Sequence, residues 1–454
     1  MPSTTQYWTH PSISAIGQES DPIHFITESA RDLVFRAIES GWQGPPFDPF
    51  QLANFAGIKV LPSEEVTDAR TIPAAGGRFI IEFNPNRPRH RIKYSICHEI
   101  AHTFFPDCSE RIRNRASIQE MNGSDWQLEM LCNMGAAELL MPIGTFQTPE
   151  EHRLSIDQIL ALRKKYEVSV DAVLLRTVNL TIEPCFVFSA SLRAGIGKER
   201  KYYIDYARPS RAWDQRIPSG LPLPKTTIAA ECTAIGFTAK GTEQWSRAGE
   251  ILNVECVGLP PYPNQTVPRV AGIGYSTTSG HTESKHITFL RGDATSPRAA
   301  GPKVIAQIVN DKAQTWGAGF ALAVRRKWPK VQEQYRVWAA EGRRNLTLGN
   351  VHIDEVSDET WIASLVAQHG YGPSPTPRIR YGALDQALSK LSLAATAHGA
   401  TVHMPRLGAG QACGSWSIIE EMINEHLCRA NIEVFVYDLP GDAEAKQEHQ
   451  ALLF

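Results

Sequence analysis

The sequence predicts a multidomain protein of mixed α+β and α/β class, and three observations carry that expectation. At 454 residues the chain exceeds what one ordinary core organises, so two or three domains are expected. Its hydrophobic periodicity changes along the length. The pattern is mostly helical from residue 20 to 180, gives short β-like runs rich in Pro, Gly and Thr from 184 to 282, and alternates strands with helices from 285 onward. No internal repeat or low-complexity segment interrupts that succession, and the expected domains are 1–183, 184–283 and 284–454.

Composition narrows the function classes. With 42% hydrophobic residues, 21% charged residues and a formal net charge of -2, the chain has no basic excess that would make nucleic acid its main ligand. The N-terminus, Met1-Pro-Ser-Thr-Thr-Gln-Tyr-Trp8, has neither a basic start nor an apolar core, and no run of about 18 apolar residues occurs. A cytoplasmic protein with no membrane partner is expected. Cys97, Cys108, Cys132, Cys185, Cys232, Cys256, Cys413 and Cys428 form no CxxC pair, so they read as reduced core residues rather than a ribbon or disulfide scaffold.

In the helical zone, amphipathic stretches are expected at 23–40, 91–105, 124–140, 155–166 and 169–179. The second contains His98-Glu-Ile-Ala-His102. Two histidines four residues apart share one helical face and can grip a single ion, and the glutamate between them can act on water activated there. Apolar residues occupy the opposite face, as a buried metal helix requires; the bland alternative is a pair of satisfied core histidines. Cys97 adjoins His98, but adjacent helical residues point about 100° apart, so it is not expected to share the ion. A catalytic zinc takes three protein ligands, and the stretch 124–140 offers Glu129 and Glu138. They are nine residues apart, about 900° of rotation, so they face opposite ways and only one can meet the metal; spacing does not choose between them.

Residues 75–142, with His98-Glu-Ile-Ala-His102 followed by Glu129-x-x-Cys-Asn-x-x-Ala-Ala-Glu-Leu-Leu-Met-Pro142, resemble the ImmA/IrrE family of bacterial metallopeptidases. The resemblance implies a mostly helical, zincin-like domain binding one zinc ion through His98, His102 and Glu129, with Glu99 as the catalytic base. Cys132 departs from the family's usual alanine, a small-for-small change. Residues 154–178 read as helix, short turn, helix. Their second helix, Val170-Asp-Ala-Val-Leu-Leu-Arg-Thr-Val, is too apolar for groove reading, so a packing role is expected and direct nucleic-acid binding is not. Members of this family often cleave a transcriptional repressor. A helix-turn-helix repressor is therefore the implied protein substrate, in a stress, DNA-damage or phage response.

The middle zone, with Cys185–Ala190, Lys201–Tyr206 and Ile251–Cys256 as β-like runs, carries no chemical motif. In the last zone, strands are expected at 286–291, 304–310, 361–368, 401–405 and 432–438, with helices at 317–328, 380–398 and 415–430. Glycine-containing loops follow three strands, and those at 316–323 and 404–411 suit a phosphate held by backbone N–H groups at a helix N-terminus. Neither is a Walker sequence or GxGxxG.

The order of Ile287-Thr-Phe-Leu-Arg-Gly-Asp293, Val309-Asn310, Gly317-Ala-Gly319, Pro405-Arg-Leu-Gly-Ala-Gly410 and Val434-Phe-Val-Tyr-Asp438 resembles macro domains over 287–440, and Leu365-Val-Ala-Gln-His-Gly resembles their chromatin-remodeller branch. The resemblance implies a three-layer α/β/α domain binding ADP-ribose, free or on a modified protein. Asp293 would accept from the adenine amino group and Tyr437 would stack on the ring. Asn310, the loop Gly317, Ala318, Gly319 and the loop Gly408, Ala409, Gly410, Gln411 would hold the diphosphate and distal ribose. Related terminal ADP-ribose hydrolases use a lysine and an aspartate where this chain has Gln368 and Ala412, so binding is expected rather than that hydrolysis. The combined expectation is a zinc endopeptidase coupled to an ADP-ribose-binding module. The alternatives are an ADP-ribose reader with an idle zinc site, and an ADP-ribosyl or O-acetyl-ADP-ribose hydrolase.

Overall fold

Helical spacing and local capping lay out the N-terminal part of the chain. The computed structural model describes residues 8–16, 21–110, 113–114, 125–146, 153–181, 183–194, 200–245, 251–261, 266–277, 287–312, 315–341, 344–372, 374 and 376–439. The expected boundary at 283/284 and residues 1–7 lie outside these. The chain forms two compact units, one of residues 1–30, 43–142 and 146–282, the other of residues 31–42, 143–145 and 283–454.

The first unit begins with α1 (Pro11–Ser14), α2 (Pro22–Glu39, whose first half belongs here) and α3 (Pro49–Phe55), whose N-cap Asp48 accepts from Phe50 N at 2.9 Å. A small sheet of order β1-β3-β2-β4 follows from β1 (Lys59–Pro62), β2 (Ala69–Ala74), β3 (Arg78–Phe83) and the two-residue β4 (Arg113–Asn114). β2 and β3 pair antiparallel through a turn at Gly76 and Gly77, which sit at φ +74° and +70°, a conformation glycine takes without a Cβ penalty. This sheet was not expected from the sequence. Next come α4 (Arg89–His102), α5 (Asp125–Leu140), α6 (Ile156–Tyr166) and α7 (Val170–Leu180). α6 opens with a capping box between Ser155 and Gln158, and Ser169 caps α7 through Ala172 N at 3.1 Å.

The same unit contains the antiparallel sheet β6-β5-β9-β8-β7, made of β5 (Cys185–Ala194), β6 (Arg200–Pro209), β7 (Thr238–Glu243), β8 (Leu252–Leu259) and β9 (Arg269–Ser276). Its core is aromatic: Phe186 meets Trp213 edge-on at 5.0 Å, and Phe188 meets Trp245 at 4.9 Å. α7 packs on this sheet. Asp171 receives both Nη atoms of Arg269 on β9, at 2.9 and 2.6 Å, and the hydroxyl of Tyr206 on β6 at 2.7 Å. Burial pushes the Asp171 carboxyl up, but Arg269 and Tyr206 outweigh it and hold it below the usual value. Val170, Val173, Leu174 and Val178 are buried, so the second helix of the helix-turn-helix pattern has its apolar face in the core.

The second unit is an α/β assembly. Its strands are β10 (Ile287–Arg291), β11 (Lys303–Asn310), β12 (Val351–Ser357), β13 (Thr360–Gln368), β14 (Thr401–Pro405) and β15 (Val434–Asp438), in the order β10-β15-β14-β11-β13-β12. All neighbours pair parallel except β12, which runs antiparallel to β13 at the edge. The helices are α8 (Gly319–Lys327), α9 (Pro329–Glu341), α10 (Tyr381–His398) and α11 (Trp416–His426). The runs Val304-Ile305-Ala306 and Ile362-Ala363 are fully buried, as the continuous apolar runs of parallel strands require. The five strands and three helices expected here are present; β12 and α9 are additions. Among the described residues, no helix is long and apolar enough to cross a membrane.

One packing constraint gives a direct test. A Cβ on Gly274 of β9 would lie 2.3 Å from the ring of Phe186 on the neighbouring β5. Gly274→Ala is expected to destabilise the first unit by about 1–3 kcal/mol through overpacking, read as a lower denaturant midpoint at unchanged slope. An unchanged midpoint would refute it.

Candidate functional site

The N-terminal site is built where α4 meets α5. Arg91, in the first turn of α4, clasps Asp68 with Nε and Nη2 at 2.7 and 2.6 Å, fixing the helix against the segment before β2. Ile96, Ile100 and Ala101 bury its apolar side completely. Gly135 lets α5 approach closely: a Cβ there would stand 2.9 Å from Cβ of Ala101. That approach carries Glu129 to the histidines. Its Oε2 lies 3.1 Å from His98 Nε2 and its Oε1 3.4 Å from His102 Nε2. The three ligating atoms lie within 4.8 Å of one another, the one such metal-capable group found among the described residues.

The atoms around this group assign roles. His98 Nδ1 donates to Asn133 Oδ1 at 3.0 Å, and Tyr94 donates its hydroxyl to the same oxygen at 2.6 Å. With Nδ1 carrying the proton, Nε2 keeps its lone pair toward Glu129. His102 Nδ1 lies 3.3 Å from Cys132 Sγ. Both Nε2 atoms are buried without a hydrogen-bond partner, because their close contacts with Glu129 are not aligned as hydrogen bonds. Burial holds the His98 imidazole below its ordinary pKa. Burial also pushes the Glu129 carboxyl up, but His102 and His98 outweigh it and leave it below the carboxylate range. Glu99 is fully buried. Thr71 on β2 donates to its Oε2 at 2.7 Å, while Oε1 has no hydrogen-bond partner.

The two α5 carboxylates are separated by their partners. Glu138 is in a buried ion pair with Arg176 of α7 and takes no part in the histidine group. Cys97 is also outside it, and burial pushes its thiol up. Two imidazole nitrogens and one carboxylate oxygen, desolvated and converging, fit a catalytic zinc with an open position.

The second unit presents a different arrangement. Because β10, β15, β14, β11 and β13 run parallel, their carboxyl ends share one edge of the sheet, the usual ligand edge of open α/β sheets. Exposed Asp293 follows β10, with Oδ1 accepting from Thr295 N at 2.8 Å. Asn310 closes β11, with Oδ1 accepting from Lys312 N at 3.0 Å. The loop Gly317-Ala318-Gly319 hangs from buried Trp316, whose ring packs on Tyr335 at 5.0 Å, and leads into α8, whose N-cap Ala318 makes no side-chain cap. The loop after β14 is tied down by Arg406, which grips Asp438 at 2.7 and 2.9 Å.

The two glycine loops are neighbours. A Cβ on Gly319 would lie 3.9 Å from the side chain of Gln411, whereas one on Gly317 or Gly410 would meet nothing within 4 Å. Gly408 has two reasons to be glycine: φ is +68°, and a Cβ would stand 3.1 Å from Ile379 and Ile419. The structure thus brings Gly319 of one loop beside Gln411 of the other, while Asn310 ends β11 and Asp293 follows β10 at the carboxyl edge of the same sheet.

Residues 56–177 match the family model of the IrrE N-terminal-like domain, Peptidase_M78. The chain is 29% identical over 169 residues to chromodomain-helicase-DNA-binding protein 1-like of Mus musculus, a match covering 35% of this chain and 18% of that protein. It is 33% identical over 172 residues to the Danio rerio protein of the same name, covering 36% and 16%. The chain therefore spans less than a fifth of these curated relatives. Among solved structures, a macrodomain protein from Streptomyces coelicolor is 40% identical, over 34% of this chain and 99% of that one, with a TM-score of 0.30. Residues 56–177 thus resemble an IrrE-like Peptidase M78 domain, and about a third of the chain is similar in sequence to a macrodomain protein.

In the second unit, one expected role changes. Tyr437 is 3% exposed: β15 is an interior strand, the Tyr437 hydroxyl accepts from Arg298 N at 3.3 Å, and His403 Nδ1 lies 3.1 Å away. A stacking platform needs an open face, and this ring is a core residue. Gln368 donates to Gly370 O at 2.9 Å, and Ala412 is buried with its carbonyl accepting from Arg378 N at 2.9 Å.

In the IrrE-like domain, sequence reasoning missed Asn133, Tyr94 and Thr71. Asn133 had a signal, since it follows Glu129 by four residues on the same helical face. Thr71 had none, lying on an unexpected strand. Glu129→Gln is expected to abolish high-affinity zinc binding, and Asn133→Ala to weaken it about 10–100-fold by freeing the His98 ring. Glu138→Gln is expected to retain zinc while lowering stability by about 3–5 kcal/mol, because it strands Arg176. Chelator competition and denaturant melts read these separately; zinc lost with Glu138 and kept without Glu129 would reverse the assignment.

Proposed function

We propose that this protein is a cytoplasmic zinc-dependent endopeptidase coupled to an ADP-ribose-binding macrodomain. In this reading residues 1–183 are the peptidase domain, 184–283 a middle domain and 284–454 the macrodomain. The observation that carries the proposal is the buried group of His98, His102 and Glu129 with unpartnered Nε2 atoms, one residue from an unpartnered carboxylate oxygen of Glu99.

His98, His102 and Glu129 would hold one zinc ion. Zinc supplies Lewis acidity at such a centre, acidifying water and polarising a carbonyl. Glu99 acts as general base through Oε1: it takes the proton of the attacking water and delivers it to the departing amine nitrogen. Thr71 holds Oε2, which restricts rotation of the carboxylate and keeps Oε1 available. Asn133 and Cys132 orient the two imidazoles through their outer nitrogens. The substrate is a regulatory protein, a helix-turn-helix repressor being the reading the family resemblance favours, within a stress, DNA-damage or phage response.

In the macrodomain, exposed Asp293 accepts from the adenine amino group. The adjoining glycine loops, with the uncapped N-terminus of α8, supply N–H groups to the diphosphate, and Asn310 and Gln411 contact the distal ribose. ADP-ribose, free or attached to a protein, then governs or targets cleavage.

The test compares new protein N-termini in cells expressing the wild type and Glu99→Gln, with zinc content measured on both. The expected outcome is a cleavage product specific to the wild type while the variant keeps its zinc; equal product profiles with zinc bound would refute the peptidase assignment. For the macrodomain, Asp293→Ala is expected to weaken ADP-ribose binding about 10-fold or more in calorimetry, the loss of one hydrogen bond to a charged group. If saturating ADP-ribose leaves cleavage of the identified substrate unchanged, small-molecule control of the peptidase is excluded.

A further inference from the structure

Two of the buried cysteines touch. Cys232 Sγ and Cys256 Sγ lie 3.6 Å apart, and neither residue is exposed to solvent. They are 24 residues apart in the chain and belong to different elements. Cys256 lies on β8, an interior strand between β7 and β9, and its side chain joins the aromatic core of Phe186, Trp213 and Trp245. Its neighbour Glu255 points to the other face of the sheet, where Oε2 accepts from Ile156 N at the start of α6 at 2.9 Å. Cys232 follows the short 3-10 turn Ile228–Glu231, which packs on β7 and β8.

Two glycines bring the sulfurs together. A Cβ on Gly258 of β8 would collide with the carbonyl oxygen of Ala234 and stand 3.3 Å from that of Cys232, so the bare backbone lets the segment carrying Cys232 close onto the strand. A Cβ on Gly272 of β9 would stand 2.7 Å from Cβ of Cys256, so Cys256 fills the space that glycine leaves. The sulfurs are not equivalent. Cys232 accepts from the Cys256 thiol, and the backbone N–H groups of Gly258 and Ala239 add to this, holding the Cys232 thiol below its ordinary pKa against the opposing pull of burial. Cys256, the donor, is held above its own. A hydrogen-bonded thiolate beside a second thiol is the arrangement of a nucleophile and its resolving partner.

We propose that Cys232 and Cys256 are a peroxide-modification site that closes to a reversible disulfide within the native first unit. The sulfur of Cys232 bonds to one oxygen of hydrogen peroxide as the O–O bond breaks; the released hydroxide takes up the proton Cys232 has given to solvent, leaving water and a sulfenic acid. Cys256 Sγ then bonds to Cys232 Sγ, the S–O bond breaks, and the hydroxyl departs as water with the Cys256 proton. Two thiols lose two electrons, the peroxide gains two, and two waters leave. Sulfurs in contact at 3.6 Å have only to close to about 2.05 Å. Cys232, beyond the end of a turn rather than inside a sheet, supplies the movement. The bond ties residue 232 to residue 256 across β7, which constrains the unfolded chain and stabilises the unit, and a dithiol reverses it by exchange.

The experiment uses the full chain carrying Cys413→Ser, which removes an exposed thiol able to link separate molecules. The reduced protein is treated with hydrogen peroxide, free thiols are then alkylated, and the peptides are mapped by mass spectrometry. The expected product is a peptide pair joined through Cys232 and Cys256 that dithiothreitol separates, with the unfolding midpoint of the oxidised protein raised above that of the reduced. In a further Cys256→Ala change, Cys232 should stop at the sulfenic acid and be trapped by dimedone; in Cys232→Ala, Cys256 should remain alkylatable. Recovery of both thiols alkylated after peroxide treatment, or a link that forms only in denaturant, overturns the site. That map is read on the Cys413→Ser chain alone, so it decides whether or not either alanine variant folds. Dimedone trapping of Cys256 in Cys232→Ala, with Cys232 untrapped in Cys256→Ala, overturns the assignment of Cys232 as nucleophile.

Discussion

The burial of three ligating atoms that satisfy one another poorly is the constraint on which the N-terminal site depends. Two Nε2 lone pairs and a carboxylate have been removed from water without aligned hydrogen bonds, and a buried polar group left so costs about 1–3 kcal/mol. A divalent cation would recover that cost by taking all three at once, which would link metal affinity to the folding stability of this region. The surrounding structure serves the same end. Gly135 lets α5 close on α4, Arg91 and Asp68 fix the start of α4, and Asn133 sets the protonation of the His98 ring.

The two imidazoles are not held alike. The amide oxygen of Asn133 is a strong acceptor for His98 Nδ1–H, whereas the thiol of Cys132 is a weak partner for His102. An alanine at position 132 would leave that nitrogen with no side-chain partner at all. Cys132 thus adds a modest orienting contact where small size was the visible property.

Much of this was legible because helices carry their spacing in the sequence. His98 and His102 share a face by arithmetic, but Glu129 and Glu138 differ by half a turn, and arithmetic cannot say which side faces the metal. The answer lay in Arg176, on a helix that packs back from 38 residues away. The sheet β1-β3-β2-β4 escaped for a local reason: Ala69-Arg-Thr-Ile-Pro-Ala74 mixes small, charged and proline residues and shows little alternation. In the second unit the buried parallel strands announced themselves as apolar runs and their loops as glycines. Tyr437 misled because an aromatic near a strand end looks the same whether the strand lies at the edge or inside the sheet, and only the strand order tells.

The contact between Cys232 and Cys256 was invisible for a related reason. They are 24 residues apart, and their meeting depends on the segment before β7 closing onto β8 at Gly258. The His98, His102 and Glu129 group places its ligand atoms on helix faces, deep and dry, where side chains would select an ion. If the glycine loops of the second unit hold an anion as proposed, they would do so with backbone N–H groups, which recognise an anion without distinguishing what is attached to it. On the proposed reading, discrimination would come from side chains that flank the glycine loops, Asp293 among them. Because Asp293 follows β10 and the loops follow β11 and β14, that side chain can change without disturbing the glycine loops.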